Sequence, residues 1–298
     1  MVVQQALSTN SFEANNMNKL NFGCGDKIAD GWINIDFHSG DSRVKRVNLL
    51  KGFPYPDNYF DVVYSSHVLE HFTQEQALFL LREAYRVLKP AAILRIVVPD
   101  LAGTCKEYLR ILALPEDDNE KNQLYEWIII ELLDQLVRSQ PTGEMGRFIN
   151  KLKNSENETL IKYVYSRTEN IPFSTLSQTS FLEKLQSLTP QKFFTKLNYW
   201  YLSCVAGLIP KHLRNMVLVE TGIGEKHRWM YDQYGLSNLF MKAGFSDCKS
   251  LAYNESSIPD FQKDCLDNNA DGSYCKGNSI YLEASKTFNN PSRSSITR

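Results

Sequence analysis

Leu20-Asn21-Phe22-Gly23-Cys24-Gly25, inside the stretch from Lys19 to Asp36, is the segment on which the reading of this chain turns. An apolar lead-in ends there in two glycines one residue apart. After a short connection a second apolar run, Trp32-Ile33-Asn34-Ile35, stops on Asp36. Glycines at the end of a first strand let the backbone approach a ligand closely, because no Cβ intervenes. An acid at the tip of the next strand can accept hydrogen bonds from both hydroxyls of a ribose. Together these features describe half of a nucleoside pocket at the carboxyl edge of a parallel sheet. Gly-x-Gly alone also fits a plain tight turn, so the placing of Asp36 carries the weight.

The next eighty residues extend the pattern. Phe60-Asp61-Val62-Val63-Tyr64-Ser65 reads as a buried strand, preceded by the turn residues Pro54-Tyr55-Pro56-Asp57-Asn58. A helix is expected from Gln74 to Leu88, with Ala77, Leu80, Leu81, Ala84, Val87 and Leu88 on one stripe. Pro90 closes it, and Ile93 to Val98 forms another apolar strand before Pro99-Asp100-Leu101. The order β-α-β-β-α-β with buried strands belongs to an open, doubly wound sheet.

Five segments in this order resemble consecutive motifs of class I S-adenosylmethionine-dependent methyltransferases. They are Asn21-Phe22-Gly23-Cys24-Gly25, Gly31 to Asp36, Pro54 to Asp61, His67-Val68-Leu69-Glu70-His71 and Glu83 to Pro90. The similarity is to the subgroup that methylates small molecules and biosynthetic intermediates. It covers Lys19 to Leu101 strongly and resumes near Gly224. Two departures stand out: Asp26-Lys27 occupy the place of a third glycine, and Ala91-Ala92 replace a usual glycine pair. The resemblance implies an α/β fold, a Rossmann-like doubly wound sheet of seven strands whose last strand is antiparallel. It implies S-adenosyl-L-methionine as cofactor, with Asn21, Phe22, Gly23, Cys24 and Gly25 around its methionine part. Asp36, followed by Phe37, would hold the ribose. Asn48-Leu49, after a third strand from Arg43 to Val47, would meet the adenine with an amide where an acid is common. Ser65, Ser66 and His67 would lie beside the sulfonium.

Composition is compatible with this and adds exclusions. A chain of 298 residues that is 43% hydrophobic can bury one large core or two modest ones. Its 33 basic and 34 acidic side chains leave a formal charge of −1. No basic cluster interleaves with aromatics, which argues against a nucleic-acid partner. The six cysteines lack a Cys-x-x-Cys, pointing to reduced thiols and a cytoplasmic setting. Cys265 and Cys275 have no histidine nearby to complete a ligand set, so neither a disulfide nor a metal is expected there. Residues 1–18 read as a flexible lead without a signal-peptide core.

After the core's first part, residues 19–101, the rhythm changes. Residues 102–221 read as a large helical insertion, with helices expected over Tyr125–Val137, Phe181–Leu188 and Phe193–Ile209. The first is so apolar that burial on several sides is expected. Lys151–Thr159 and Arg167–Thr179 read as loops. Such an insertion at the carboxyl edge suits a substrate lid; the alternative is a homodimer interface. Phe193–Ile209 is shorter than the roughly 20 apolar residues of a span and is interrupted by Lys196 and Asn198, which disfavours a membrane role. Residues 222–285 complete the sheet, with a helix from Gln233 to Ala243 capped by Gly244 and strands at Phe245–Tyr253 and Ser279–Ala284. Residues 286–298 read as a disordered tail.

A sulfonium is already an activated methyl donor, so the protein's task is to align an acceptor and remove a proton. Histidine suits the second task near neutral pH, and His67, His71 and His227 all sit in motif segments. In the resembled subgroup the run before the last helix faces the active-site mouth, so the resemblance makes Arg228, Tyr231 and Asp232 candidate substrate contacts. His67 and His71 share a helical face, but Glu70 is expected to point elsewhere and no third ligand is evident, so no metal is expected. The function read here is methyl transfer to a small or lipid-like acceptor. Two rivals are a nucleoside-binding scaffold that kept the fold without turnover, and a nicotinamide-dependent oxidoreductase. The latter would want a third glycine.

Overall fold

A computed structural model describes residues 17–118, 120–140, 142–168, 201 and 226–287. Its strands are β1 (Lys19–Phe22), β2 (Ile33–Asp36), β3 (Val44–Arg46), β4 (Phe60–Ser66), β5 (Leu88–Pro99), β6 (Phe245–Leu251) and β7 (Ser279–Lys286). They form one seven-stranded sheet in the order β3-β2-β1-β4-β5-β7-β6. Only β7 runs antiparallel, to both β5 and β6. The helices are α1 (Gln74–Val87), α2 (Leu101–Leu112), α3 (Lys121–Val137), α4 (Gly143–Leu152), α5 (Glu158–Arg167) and α6 (Gln233–Ala243). The Rossmann-like sheet with its antiparallel last strand is the one expected.

The carboxyl ends of β1, β2 and β4 lie side by side because these strands pair in parallel. The β1–β2 crossover, residues 23–32, contains no helix. Two asparagines in register brace it instead. Asn21 Nδ2 donates to Lys27 O and Asn34 Oδ1, while Asn34 Nδ2 donates to Ala29 O and Trp32 O. Buried amides of this kind replace the backbone bonds that a helix would have satisfied internally.

One face of the sheet packs Leu80, Leu81 and Ala84 of α1 and Leu236 and Phe240 of α6 onto Leu20, Phe22, Val63 and Ile96. The first turn of α1 is closed by a capping box between Thr73 and Gln76. Glu83 and Arg86 of α1 tie the Pro54–Asp61 and Glu83–Pro90 segments together. Arg86 Nη1 and Nη2 donate to Tyr55 O and Phe53 O, and Glu83 Oε2 accepts from Phe53 N. The opposite face is covered by the β6–β7 connection, through Ile258, Phe261 and Leu266 packed on Trp32, Tyr64 and Tyr281. Arg95, buried in mid-β5, bonds Asp267 and Glu283 at 2.6 and 2.7 Å and so pins that connection to the sheet. A fully buried guanidinium demands such pairing. Helices α2 to α5 enclose a separate core of Ile111, Trp127, Ile128, Phe148 and Val164.

Several boundaries move. β5 begins at Leu88, not Ile93, because Leu88 pairs with Phe60 across an irregularity that takes in Pro90. β7 runs to Lys286, placed in the tail by sequence; its ammonium donates to Leu88 O and Asn58 Oδ1. Asn18, assigned to the flexible lead, bonds Asp61 Oδ2 and Tyr59 O. The loop expected over Lys151–Thr159 shrinks from both ends, since α4 extends to Leu152 and Asn157 caps α5 by accepting from Leu160 N. Helix α3 begins at Lys121 and buries one stripe rather than several sides: Tyr125, Leu133 and Val137 are exposed. Helix α2 follows Asp100 directly and was not anticipated. The helices expected at Phe181–Leu188 and Phe193–Ile209 lie outside the described residues, Tyr201 apart, as do residues 1–16 and 288–298. No helix among the described residues is long and apolar enough to cross a membrane.

Candidate active site

The loop leaving β1 turns on Gly23 and Gly25, both in the left-handed region at φ 65° and 50°. A Cβ on Gly23 would collide with the Val68 side chain; one on Gly25 would meet open space. The first glycine is therefore required by a neighbouring side chain rather than by ligand room, and Gly23→Val would displace the β4 tip. The loop's amides are used internally: Gly23 N and Cys24 N donate to Ile35 O, and Gly25 N donates to Asp36 Oδ2 at 2.9 Å. Asp36 Oδ1 accepts from His38 N. What the loop offers a ligand is close approach and carbonyl oxygens.

A first cavity of about 350 Å³ opens at the carboxyl ends of β1 and β4. Of the residues the sequence reading named for the cofactor, Asn21, Gly23, Cys24, Gly25, Ser66 and His67 line it. Phe22 is not part of its lining, its ring being buried against Phe53. The Ser65 hydroxyl is spent on Phe22 O, tying β4 to β1. Asp36, Phe37, Asn48 and Leu49 lie beyond this cavity at the tips of β2 and β3: Phe37 is exposed, Leu49 is buried, and Asn48 Oδ1 accepts from Leu50 N. The sequence reading missed the cavity's other wall, formed by Leu266, Asn269, Cys275 and Lys276 of the β6–β7 connection, together with Lys27. The polar run Cys275-Lys276-Gly277-Asn278 before the last strand was the available signal. Cys265 and Cys275 are free thiols, and Lys27 Nζ lies 3.2 Å from Cys275 Sγ. Burial pushes the Cys24 thiol up to about 12.

His67 stands at the tip of β4 in the left-handed region, φ 53°, with its N–H bonded to Val97 O. Its Nε2 lies 3.0 Å from Ser279 Oγ, and its Nδ1 lies 3.6 Å from Glu70 Oε1. Burial pushes its pKa well below the usual histidine value, so the ring is neutral at pH 7. The single-turn helix Leu69–His71 then brings Glu70 inward, contrary to the sequence expectation. That carboxyl is 1% exposed, neither oxygen has a hydrogen-bond partner, and burial raises its pKa to about 8. His71 Nε2 lies 4.0 Å from Glu70 Oε1 while its Nδ1 meets Lys226 O at 3.2 Å. The His71 and His227 rings meet edge to face at 4.9 Å. His227 is buried, its N–H bonded to Gln135 O of α3, and burial first and His71 second hold its pKa down at about 3.

A second cavity, about 360 Å³, lies between this tip and the insertion. Leu132, Leu136, Met145 and Ile149 make it largely apolar, with Glu131, Arg167 and Asn278 as polar points. The two cavities share His67 and Lys276. Asn278 Nδ2 donates to Thr104 Oγ1 and Glu131 Oε1, and Arg167 bonds Glu131 at 2.6 and 2.7 Å, locking α2, α3 and α5 to the start of β7. Gly277 N donates to Thr168 O, and a Cβ on Gly277 would strike Ser166 O. That glycine is what lets the insertion close against the sheet edge.

Of the three candidate bases, His67 lines both cavities, His227 the second, and His71 neither. The three candidate substrate contacts are not brought into these cavities. Arg228 is exposed, Tyr231 is buried with an unbonded hydroxyl, and Asp232 caps α6 through Gly235 N at 2.6 Å. Tyr231 and Asp232 line a separate recess with Trp229 and Tyr234.

Residues 32–96 match the family model described as "Methyltransferase domain". No curated protein matches the chain. Among solved structures, a SAM-dependent methyltransferase of Archaeoglobus fulgidus is 14% identical over 91% of this chain and 86% of its own, with a TM-score of 0.35. One of Thermotoga maritima is 13% identical over 91% and 82%, at 0.35. The 4+2 cyclase SpnF is 24% identical, but over only 28% of this chain and 38% of its own, at 0.23.

Proposed function

We propose that this chain, whose residues 32–96 match a methyltransferase-domain model, is a class I S-adenosylmethionine-dependent methyltransferase that delivers the methyl group to a small, largely apolar acceptor seated in the second cavity. The observation that carries this reading is the meeting of the two cavities at His67. One is built like a nucleoside site and the other like an apolar acceptor site, and a transfer needs both at one point.

The residues present fit the cofactor. The first cavity falls within the roughly 300–1,000 Å³ usual for small-ligand sites, and its wall is cleared of side chains at Gly25, where a Cβ would meet open space. Bound there, S-adenosylmethionine supplies an activated methyl group on a sulfonium. Lys27 and Lys276 give the cavity positive charge suited to an amino-acid carboxylate. Asp36 keeps a second lone pair on each oxygen for ribose hydroxyls. Neutral His67 is able to accept the acceptor's proton, steadied by Ser279 at Nε2. Leu132, Leu136, Met145 and Ile149 exclude water from the acceptor and fix its approach. In this reading the insertion acts as the substrate lid, and the acceptor remains a small molecule rather than a nucleic acid.

Titration calorimetry with S-adenosylhomocysteine and with NAD tests the cofactor assignment: the first binds and the second does not. A panel of small hydroxyl, amine and acid acceptors, read as S-adenosylhomocysteine release, tests the rest. Leu136→Trp abolishes release at unchanged S-adenosylhomocysteine affinity. Binding without release from any acceptor would favour the scaffold alternative.

A further inference from the structure

We infer that Glu70, His71 and His227 form a binding site for a divalent first-row transition cation, of the zinc type. One ligand atom from each of the three lies within 4.8 Å of the other two. Two imidazoles and a carboxylate are the donor set of a catalytic zinc site that leaves one position open. Donors of a tetrahedral zinc stand on the order of 3.3 Å apart, given Zn–N and Zn–O bonds of about 2.0–2.2 Å. The 4.0 Å between His71 Nε2 and Glu70 Oε1, and the 4.8 Å that bounds the whole set, exceed that spacing, so binding would draw the three side chains inward.

Three features point to a ligand rather than to a packing accident. Glu70 is almost wholly buried with both carboxylate oxygens unbonded, a costly arrangement that a cation would resolve. His71 is already oriented: only its Nδ1 can donate to Lys226 O, which leaves Nε2 as a bare donor atom facing Glu70. The backbone is committed as well, since Arg228 N and Trp229 N both donate to Glu70 O and tie the two segments together. Arg138 and Lys276 put positive charge near the cluster, and Arg138 is itself paired to Asp134 at 2.5 Å. That charge opposes any divalent cation, and the choice among them lies in the donor set: two imidazole nitrogens and one carboxylate disfavour Ca²⁺ and Mg²⁺, which depend on oxygen ligands, and favour a metal held by nitrogen. His227 also lines the second cavity, so the ion would stand beside whatever is bound there. The site stands independently of methyl transfer.

Full-length protein stripped with chelator and titrated with Zn²⁺ in a calorimeter provides the test. One saturable equivalent is expected. Glu70→Gln and His227→Gln should each weaken it by more than the roughly 10–100-fold that loss of an outer-shell partner costs. His38→Gln, at an exposed ring outside the cluster, should leave it unchanged. No saturable equivalent in the wild type, or one unmoved by Glu70→Gln and His227→Gln, would overturn the site. Co²⁺ on the wild type guards against variants that fail to fold. Intense visible bands that Zn²⁺ abolishes support the four-coordinate site, and a weak octahedral spectrum rules it out. Because the readout is metal binding alone, its failure leaves the methyl-transfer reading intact, and the converse holds too.

Discussion

Asp36 fixes Gly25 N and, in the proposed function, offers its remaining lone pairs to a ribose. Asp36→Ala should weaken S-adenosylhomocysteine by roughly 1.5–3 kcal/mol, the range for hydrogen bonds to a charged group. The fold should persist because the freed amide is exposed; calorimetry beside circular dichroism checks both. Ala91 is an exposed alanine at φ 63°, in the turn where the resembled family carries glycine. Left-handed backbone costs an L-residue roughly 1–2 kcal/mol, and glycine's extra unfolded entropy returns only part of that. Ala91→Gly should therefore stabilise by roughly 0.5–1 kcal/mol, read from denaturant midpoints. Cys24 lines the first cavity, yet its thiol is pushed up to about 12 by burial and by nearby Asp36. The thiolate is the nucleophile, so iodoacetamide at pH 8 should spare Cys24 while it modifies exposed Cys105 and Cys265. Mass mapping of the adducts decides this, and rapid labelling of Cys24 would refute the burial argument.

The elements depend on polar clamps as much as on apolar stripes. Arg95 joins β5 to the β6–β7 connection through two buried carboxylates, with Tyr64 adding a 2.6 Å bond to Asp267. Arg95→Met keeps the chain's bulk but strands Asp267 and Glu283 without their cation. A loss of about 3–5 kcal/mol is expected, the scale for breaking a buried pair from one side. Thermal unfolding measures it. A loss under 1 kcal/mol would mean that the carboxylates find water once the guanidinium is gone. The β1–β2 crossover illustrates the same point, since its asparagine pair satisfies the backbone of a segment too short for a helix.

For the molecule as a whole, the separate core of α2–α5 argues for an insertion that responds as one body, held to the sheet edge by its clamp at Glu131–Asn278. Hydrogen exchange follows this directly. S-adenosylhomocysteine alone should slow exchange around residues 23–25 and 275–277. Slowing of the α4 and α5 amides should require an acceptor as well, because closure excludes water only when the second cavity fills. Protection of α4 and α5 that tracks protein concentration instead would show a dimer interface and remove the lid reading.

By itself the sequence determined the sheet and the β1 and β4 tips on which the first cavity opens, because strand and helix periods and the Gly23–Gly25–Asp36 spacing are local signals. The helix Gln233–Ala243 with its Gly244 cap was legible to the residue for that reason. Boundaries set by partners far along the chain were not: Lys286 joins β7 through Leu88 O, and Asn18 is held by Asp61. The inward turn of Glu70 was equally hidden, since His227 meets it from more than a hundred and fifty residues away. The same holds for the wall that Cys275 and Lys276 give the first cavity. Burial, and with it the electrostatics of His67, Glu70 and His227, exists only once the insertion and the β6–β7 connection have closed over the strand tips. Desolvation depends on every neighbour in three dimensions, and no local run of residues encodes it.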